Sequence, residues 1–512
     1  MRQISRAALI ALTALSAGPT FAQTSTTTPV KLDAGGIVAA HYPIGDMWWD
    51  PAHSSYTGLE FPKGDTNQVR GFGGLLFGGI DVQGNLKLAG NIFRENGSDF
   101  QPGPIVAGTA AEKAASVAAW SKIWKVNSTT IDAFILSFQA GSTVIPAEIL
   151  DWPGNGNTYA RGANNTALTL NGNFAPFVDV DQDGIYNPYK GDYPQIKGSQ
   201  MLWWLYNDAT VHPFSATLPL NAEVAVSAYA YATGTIAANA LFYEYDISNK
   251  GGTINNFHFG TMNDFDIDYA FNDELAIDSP GRLGVIFNGN RQEPASRNVA
   301  AGIVFCELPG DSYTNRQPLQ TINGWLPAAR NATAYYNLFT APQIRRLGHA
   351  TGDACEWSDN PGDRHLFLTT KSMTLTANSH ARFAFAMVLA DRAGYCPGAY
   401  LNGAVAAADS AYDRYWHPSR VSAPVTPTSV GTHPVVRNSI FPNPVTNMLH
   451  IESAAPVSEI RVTNTLGAAI ALHYDITAHG AELQTASLIP GIYSILIRNT
   501  NGESTATTFV RQ

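Results

Sequence analysis

Charge is scarce in this chain. Only 14% of its 512 residues are charged, against about 25% in an average soluble protein. Bases are scarcer than acids, 31 Lys and Arg against 41 Asp and Glu, for a net charge of −10. Nucleic-acid binding rests on Lys and Arg contacts to phosphate, so this balance excludes it as a partner class. Cysteine is nearly absent: Cys306, Cys355 and Cys396 permit one internal disulfide in an exported protein, with all three pairings open. None of them has the CxxC spacing of a cysteine zinc site. Apolar runs long enough to span a bilayer, about 20 residues, are missing, so no transmembrane segment is expected. Nucleophile-elbow GxSxG and metalloprotease HExxH patterns are also missing. The twelve histidines include no pair at i, i+4, the spacing that puts two on one helical face. Gly71 to Gly79 is glycine-rich but fits neither GxGxxG nor a Walker loop.

Apolar material is plentiful. Hydrophobic residues make up 45% of the chain and aromatics 11%, which excludes global disorder and provides a large core. Arg2 and Arg6 precede an apolar stretch, Ala7 to Ala17, and Thr20-Phe21-Ala22 offers small residues for cleavage. Residues 1–22 are therefore expected to be a secretory signal peptide. A Thr-rich flexible lead-in is expected over 23–40, and a β-rich main region over 41–420. In that region Val224 and Val226 fall on one strand face and Tyr229 and Tyr231 on the other. Tyr243, Tyr245 and Ile247 alternate with Glu244 and Asp246 in the same way, and Arg382 to Leu389 reads as a further strand. Two stretches have helical periodicity. Ala110 to Lys125 puts Val117, Trp120 and Trp124 on one face, and Leu401 to Trp416 carries Val405, Ala408, Tyr412 and Tyr415. A Pro/Thr/Ser-rich linker is expected over 421–436. After it, 437–512 alternates as a small all-β unit, with an Asn501-Gly502 hairpin signal between two runs. The fold class is mainly β: a large multi-stranded antiparallel region with a few helices, then a small Ig-like sandwich.

Four segments of the terminal unit carry a resemblance. They are Phe441-Pro442-Asn443-Pro444, Asn464-Thr465-Leu466-Gly467, Leu488-Ile489-Pro490-Gly491-Ile492-Tyr493 and Phe509-Val510-Arg511-Gln512. Residues 435–512 resemble the type A C-terminal sorting domain of the type IX (Por) secretion system. Arg511 stands where that family commonly has lysine, which keeps the charge. The resemblance implies Sec export, passage across the outer membrane by the type IX machinery, and removal of the domain. The passenger is then released, or attached to lipopolysaccharide on the outer surface of a Gram-negative cell. The main region resembles large secreted passengers of the same system through Gly78 to Leu86, Asp99 to Pro104, Asp179 to Tyr193, Gln200 to Trp204 and Pro361 to Arg364. That second resemblance implies no activity.

Chemistry is concentrated in two acidic segments. Asp179, Asp181 and Asp183 occupy positions 1, 3 and 5 of a loop with Gly184 at 6, Ile185 offering its carbonyl at 7 and Asn187 at 9. Calcium takes about six to eight hard oxygens, and this spacing turns alternate carboxylates into one concavity. Lys190 stands at position 12 in place of the bidentate Glu, and Asp192 is the candidate replacement. Asp264, Asp266, Asp268, Asp273, Glu274 and Asp278 form the second cluster, with no Lys or Arg between Lys250 and Arg282. So many neighbouring carboxylates repel unless a cation or donors offset them. A second metal site and a paired-carboxylate hydrolase are both open readings of this cluster. Trp48, Trp49, Trp203 and Trp204 offer a third, a glycan-binding platform. A Cys355–His365 dyad has nothing further to support it. The leading expectation is a secreted, calcium-stabilised structural or adhesive protein without an enzymatic site of its own.

Overall fold

The computed structural model describes residues 29–418 and 439–512, apart from 50–57, 67–68, 95–96, 171, 173, 233–237, 268, 278–281, 289–298, 316–318, 320, 324–328, 330, 341–361, 392–396, 454–455, 465–468, 478 and 501–503. The expected signal peptide, the 421–436 linker, Asp268, Asp278, Cys355 and Cys396 lie outside the described residues. The chain divides into two compact units, Met1–Thr426 and Pro427–Gln512.

The first unit is built on two antiparallel sheets. The larger runs in the order Asp273–Ile277, Leu283–Asn288, Val299–Glu307, His380–Asp391, Ala240–Asn249, Ala222–Ala230 and Gln200–Asn207. Gln101–Pro102 and Trp124–Asn127 both pair with its last strand. The smaller runs Thr321–Asn323, His365–Thr369, Ile254–Ile267, Val69–Asp81 and Leu86–Gly90, with Met373–Leu375 beside its central strand.

Period-2 alternation decides which side chains meet. Val224, Val226, Tyr243, Tyr245, Ile247, Phe383 and Phe385 of the larger sheet share one buried core with Phe77, Phe257, Phe259 and Phe265 of the smaller. Phe259 and Phe383 stack with centroids 4.5 Å apart, and Phe385 lies over both Tyr243 and Tyr245. The opposite face of the larger sheet presents Trp203, Tyr229, Tyr231 and Phe242 to a second core. The helix Pro397–Trp416 covers that face with Ala404, Ala408, Ala411, Tyr412 and Tyr415. The helix Ala332–Thr340 seals Phe72, Leu76, Met262 and Phe367 on the far side of the smaller sheet. With both faces covered, the strands read as nearly continuous apolar runs.

Three local features differ from the sequence expectation. The helix from Ala110 stops at Trp120, and Trp124 begins a strand in register with Trp203. Ile123 and Val126 favour the extended chain there, and the Trp120 and Trp124 rings still meet at 5.7 Å. The lead-in is ordered from Val30 onward: Val30–Leu32 and Val38–His41 pair, and Leu32, Ile37 and Ala39 are fully buried. The Thr-rich stretch before them masked this short apolar segment. The glycine-rich run lies in the strand Val69–Asp81, where a Cβ on Gly78 would sit 2.1 Å from the Lys87 carbonyl oxygen. Its glycines serve close backbone packing.

The second unit has two four-stranded antiparallel sheets among the described residues. Val445, Leu449, Ile451, Val462, Leu483, Tyr493, Ile495, Ile497 and Phe509 fill the space between them. The strands Gly491–Asn499 and Ser504–Arg511 flank the Asn501-Gly502 position as antiparallel neighbours.

One buried group links this core to pH. The Tyr243 hydroxyl accepts from Trp48 Nε1 at 2.7 Å and lies 2.8 Å from His41 Nε2. Having used the hydroxyl as an acceptor for Trp48, the structure leaves its proton for a neutral His41. Burial lowers His41 from its ordinary 6.5 to about 4. The unfolded chain thus binds a proton between those values that the folded chain refuses. This contribution is fully present above pH 6.5 and is lost as pH falls through about 4. Between pH 7 and pH 5 it should cost about 2 kcal/mol. Urea unfolding at the two pH values should show that loss, and His41→Gln should flatten it.

Candidate functional site

The acidic loop 179–192 closes a hairpin whose strands are Phe177–Val178 and Tyr193–Pro194. Tyr186 anchors it: the ring is buried and the hydroxyl donates to the Ile149 carbonyl at 2.6 Å. Gln182 and Gly184 take positive φ, 61° and 77°, which turns the chain sharply enough for the carboxylates to face inward. Asp179, Asp181 and Asp183 each bring an oxygen within 4.8 Å of the others. Asp179 also accepts from the Gln182 and Gly184 amides at 2.7 Å, and Asp183 from Ile185 at 2.8 Å. Two predicted ligands are used otherwise. Asp192 is fully buried, and its two oxygens accept from Val180 and Asn187 amides at 2.8 Å. Asn187 Oδ1 caps the short turn at Tyr189.

Lys190 explains how the loop holds together. Its ammonium lies 2.7 Å from Asp181 and 2.5 Å from Asp183, the place a cation would take. The Lys190 hydrogen bond draws Asp183 below the usual carboxylate range, and the same bonds raise Lys190. Burial pushes Asp192 up to about 6. The donor set is all oxygen on the carboxylate side, which fits a hard cation, provided that it displaces one lysine.

The second cluster is assembled across strands. Asp264 on Ile254–Ile267 is in register with His365 on His365–Thr369, and Asp266 is in register with Arg70. His365 Nε2 lies 3.8 Å from Asp264 and 3.7 Å from Asp363. Asp273 is fully buried; its Oδ1 accepts from Ile267 at 3.2 Å, and its carbonyl accepts from Gly362 at 3.0 Å, beside Asp363. Burial, with Asp266 and Asp363 adding to it, pushes Asp264 up to about 8. Asp273 is pushed up to about 10 by the same cause, against the Ile267 hydrogen bond. Of the residues singled out in the sequence, Asp264, Asp266 and Asp273 are brought together. Asp363 and His365 were missed as partners, because the link is a strand register that no local spacing displays.

A paired-carboxylate hydrolase needs its acids in a cleft. Two cavities lined by described residues, of about 340 Å³ and 620 Å³, lie against Ala225 and Asp246 on the outer side of the larger sheet, away from the Asp264 cluster. Their acids face cations already: Glu244 with Lys197 and Arg382, Glu223 with Lys250, and Asp246 with His380. The four tryptophans singled out in the sequence form no exposed platform. Trp48, Trp203 and Trp204 are buried, and Trp49 is partly buried against Phe72. Adjacent strand residues point to opposite faces, and both faces are covered here.

A buried polar centre was also missed. His212 lies between Asp99 and Asp208, with all three side chains sealed from solvent. Its Nδ1 meets the Leu88 carbonyl at 2.9 Å and its Nε2 the Asp208 carbonyl at 2.8 Å. Ser215 Oγ is 3.3 Å from Nδ1 but donates to the Leu88 carbonyl at 2.8 Å, and the group is sealed from solvent, so it is not presented to a substrate as a nucleophile and base. This Ser, His and Asp arrangement is a structural tie, joining Gly90, Phe214, Leu220 and Ala222 through their amides. Replacing His212 by Leu removes the imidazole that sits between the two buried carboxylates, and chemical unfolding should show a loss of about 3–5 kcal/mol.

The comparisons with known proteins bear on the second unit. Residues 439–511 match the family model described as the secretion system C-terminal sorting domain. The type IX sorting domain expected from Phe441-Pro442-Asn443-Pro444 onward is thus present, and it indicates export. No curated protein matches the chain. Among solved structures, a polysaccharide lyase is similar at 7% identity and a TM-score of 0.17, covering 56% of this chain and 34% of its own. The chain thus spans about a third of that lyase's length. A BSP domain of a biofilm-associated protein is similar at 10% identity and a TM-score of 0.14, covering 94% and 80%. Neither likeness bears on the fold or the function. No helix among the described residues is long and apolar enough to cross a membrane.

Proposed function

We propose that the first unit is a passenger with a structural or adhesive role outside the cell, and that calcium stabilises its 179–192 loop. The observation that carries the reading is the sorting domain at 439–511. Residues 1–22 direct Sec export, the terminal unit engages the type IX machinery, and the passenger is released or joined to surface lipopolysaccharide. Its partners there are extracellular glycans or proteins. The convergence of Asp179, Asp181 and Asp183 supports the calcium assignment. Asp192 then acts by holding the Val180 and Asn187 amides, which set the loop's shape.

Export has a direct test. Deleting 439–511 in the native host should trap the passenger in the periplasm, while the intact chain reaches the surface or medium without an intact terminal domain. Mass spectrometry of the exported form gives both results, and a full-length surface protein ending at Gln512 would count against domain removal.

Calcium has a separate test. Extracellular modules bind it at about 0.1–1 mM. At about 10 mM calcium this stabilises the fold by about 1–3 kcal/mol. The unfolding midpoint should rise accordingly, and Asp181→Ala with Asp183→Ala should abolish the rise. Lys190→Gln should strengthen calcium binding, because the competing ammonium is gone. An identical melting curve in calcium and in chelator would remove the assignment.

A further inference from the structure

The Asp264, Asp363 and His365 side chains each offer one ligand atom, and these atoms lie within 4.8 Å of one another. We propose that they form a transition-metal site for a divalent ion, zinc being the best fit, distinct from the calcium loop. The proposal is independent of export and of the 179–192 loop.

Three observations carry it. The first is spacing. His365 Nε2 stands 3.8 Å from Asp264 and 3.7 Å from Asp363, beyond the roughly 3.2 Å of an N–H···O hydrogen bond. Two ligand atoms held by one tetrahedral zinc at about 2.0–2.2 Å lie about 3.4 Å apart. Movements of a few tenths of an ångström would bring His365 to that separation from each carboxylate. The second is unmet polarity. Asp264 Oδ1 is buried with no hydrogen-bond partner among the described residues, and so is Oδ2 of the fully buried Asp273. Asp273 feels the charges of Asp264, Asp266 and Asp363, so it lies close enough to support the site. The third is donor chemistry. An imidazole nitrogen among carboxylates suits zinc and its first-row neighbours, whereas calcium and magnesium prefer all-oxygen sets.

The surroundings suit such a site. Asp264 and His365 sit opposite each other on neighbouring strands, so the sheet register fixes them. The Phe93 ring meets His365 edge-on at 5.7 Å and holds its plane. The Asp363 side chain is 45% exposed, which leaves a path for the ion.

The test uses the full chain without an affinity tag, stripped with chelator and titrated with zinc alone. Elemental analysis and calorimetry should find one zinc per chain, retained in excess calcium. Asp363→Asn and His365→Gln should each weaken it by at least about tenfold, the size of loss that even a supporting partner brings. Asp181→Ala with Asp183→Ala should leave it unchanged. The exposed Asp363 position keeps the test valid even if His365→Gln fails to fold. Cobalt in place of zinc should give a visible absorption band that Asp363→Asn alters. Absence of stoichiometric zinc, displacement by calcium, or zinc binding unchanged in the folded Asp363→Asn variant would each overturn the proposal.

Discussion

The stack between Phe259 of the smaller sheet and Phe383 of the larger is the contact on which the first unit depends. The rings lie 4.5 Å apart and 8° from parallel, with Phe257, Phe385, Tyr243 and Tyr245 packed around them in one core. Deleting a buried aromatic ring costs about 3–5 kcal/mol, a large part of the stability of an ordinary domain. The same contact sets the spacing of the two sheets, and so the position of everything carried on their outer faces.

Polar chemistry is confined to places that this core leaves over. His212 with Asp99 and Asp208 ties turns beside the sheet edge, where many backbone amides need acceptors. The 179–192 loop projects from a short hairpin, so its carboxylates are exposed and Lys190 can reach them. Asp264 and Asp266 face away from the aromatic core on the strand that supplies Phe259 and Phe265 to it. A rigid strand thus presents acids that are half desolvated and mutually repelling, a poor arrangement unless a cation or protons offset it.

Much of this was legible in the sequence, for a physical reason. Alternation in Tyr243 to Ile247 and Val224 to Tyr231 reports strand faces directly, because neighbouring side chains point opposite ways. The sorting-domain segments were legible as a local pattern of the terminal unit. Trp124 was misplaced because tryptophans at 120 and 124 satisfy a helical period while the backbone turns between them. The Asp179, Asp181 and Asp183 convergence was visible because the loop is local. His365 and Asp363 were not visible beside Asp264, since about a hundred residues separate them and only the strand register joins them. The same distance hid His212 from Asp99.

The central claim is that both acidic centres are cation sites of an exported β-protein. Anomalous diffraction from crystals of the full chain grown with calcium and zinc tests it most directly. The account predicts a zinc peak among Asp264, Asp363 and His365, and a calcium peak among Asp179, Asp181 and Asp183 with Lys190 displaced. Empty density at both centres, with Lys190 still bridging Asp181 and Asp183, would contradict it.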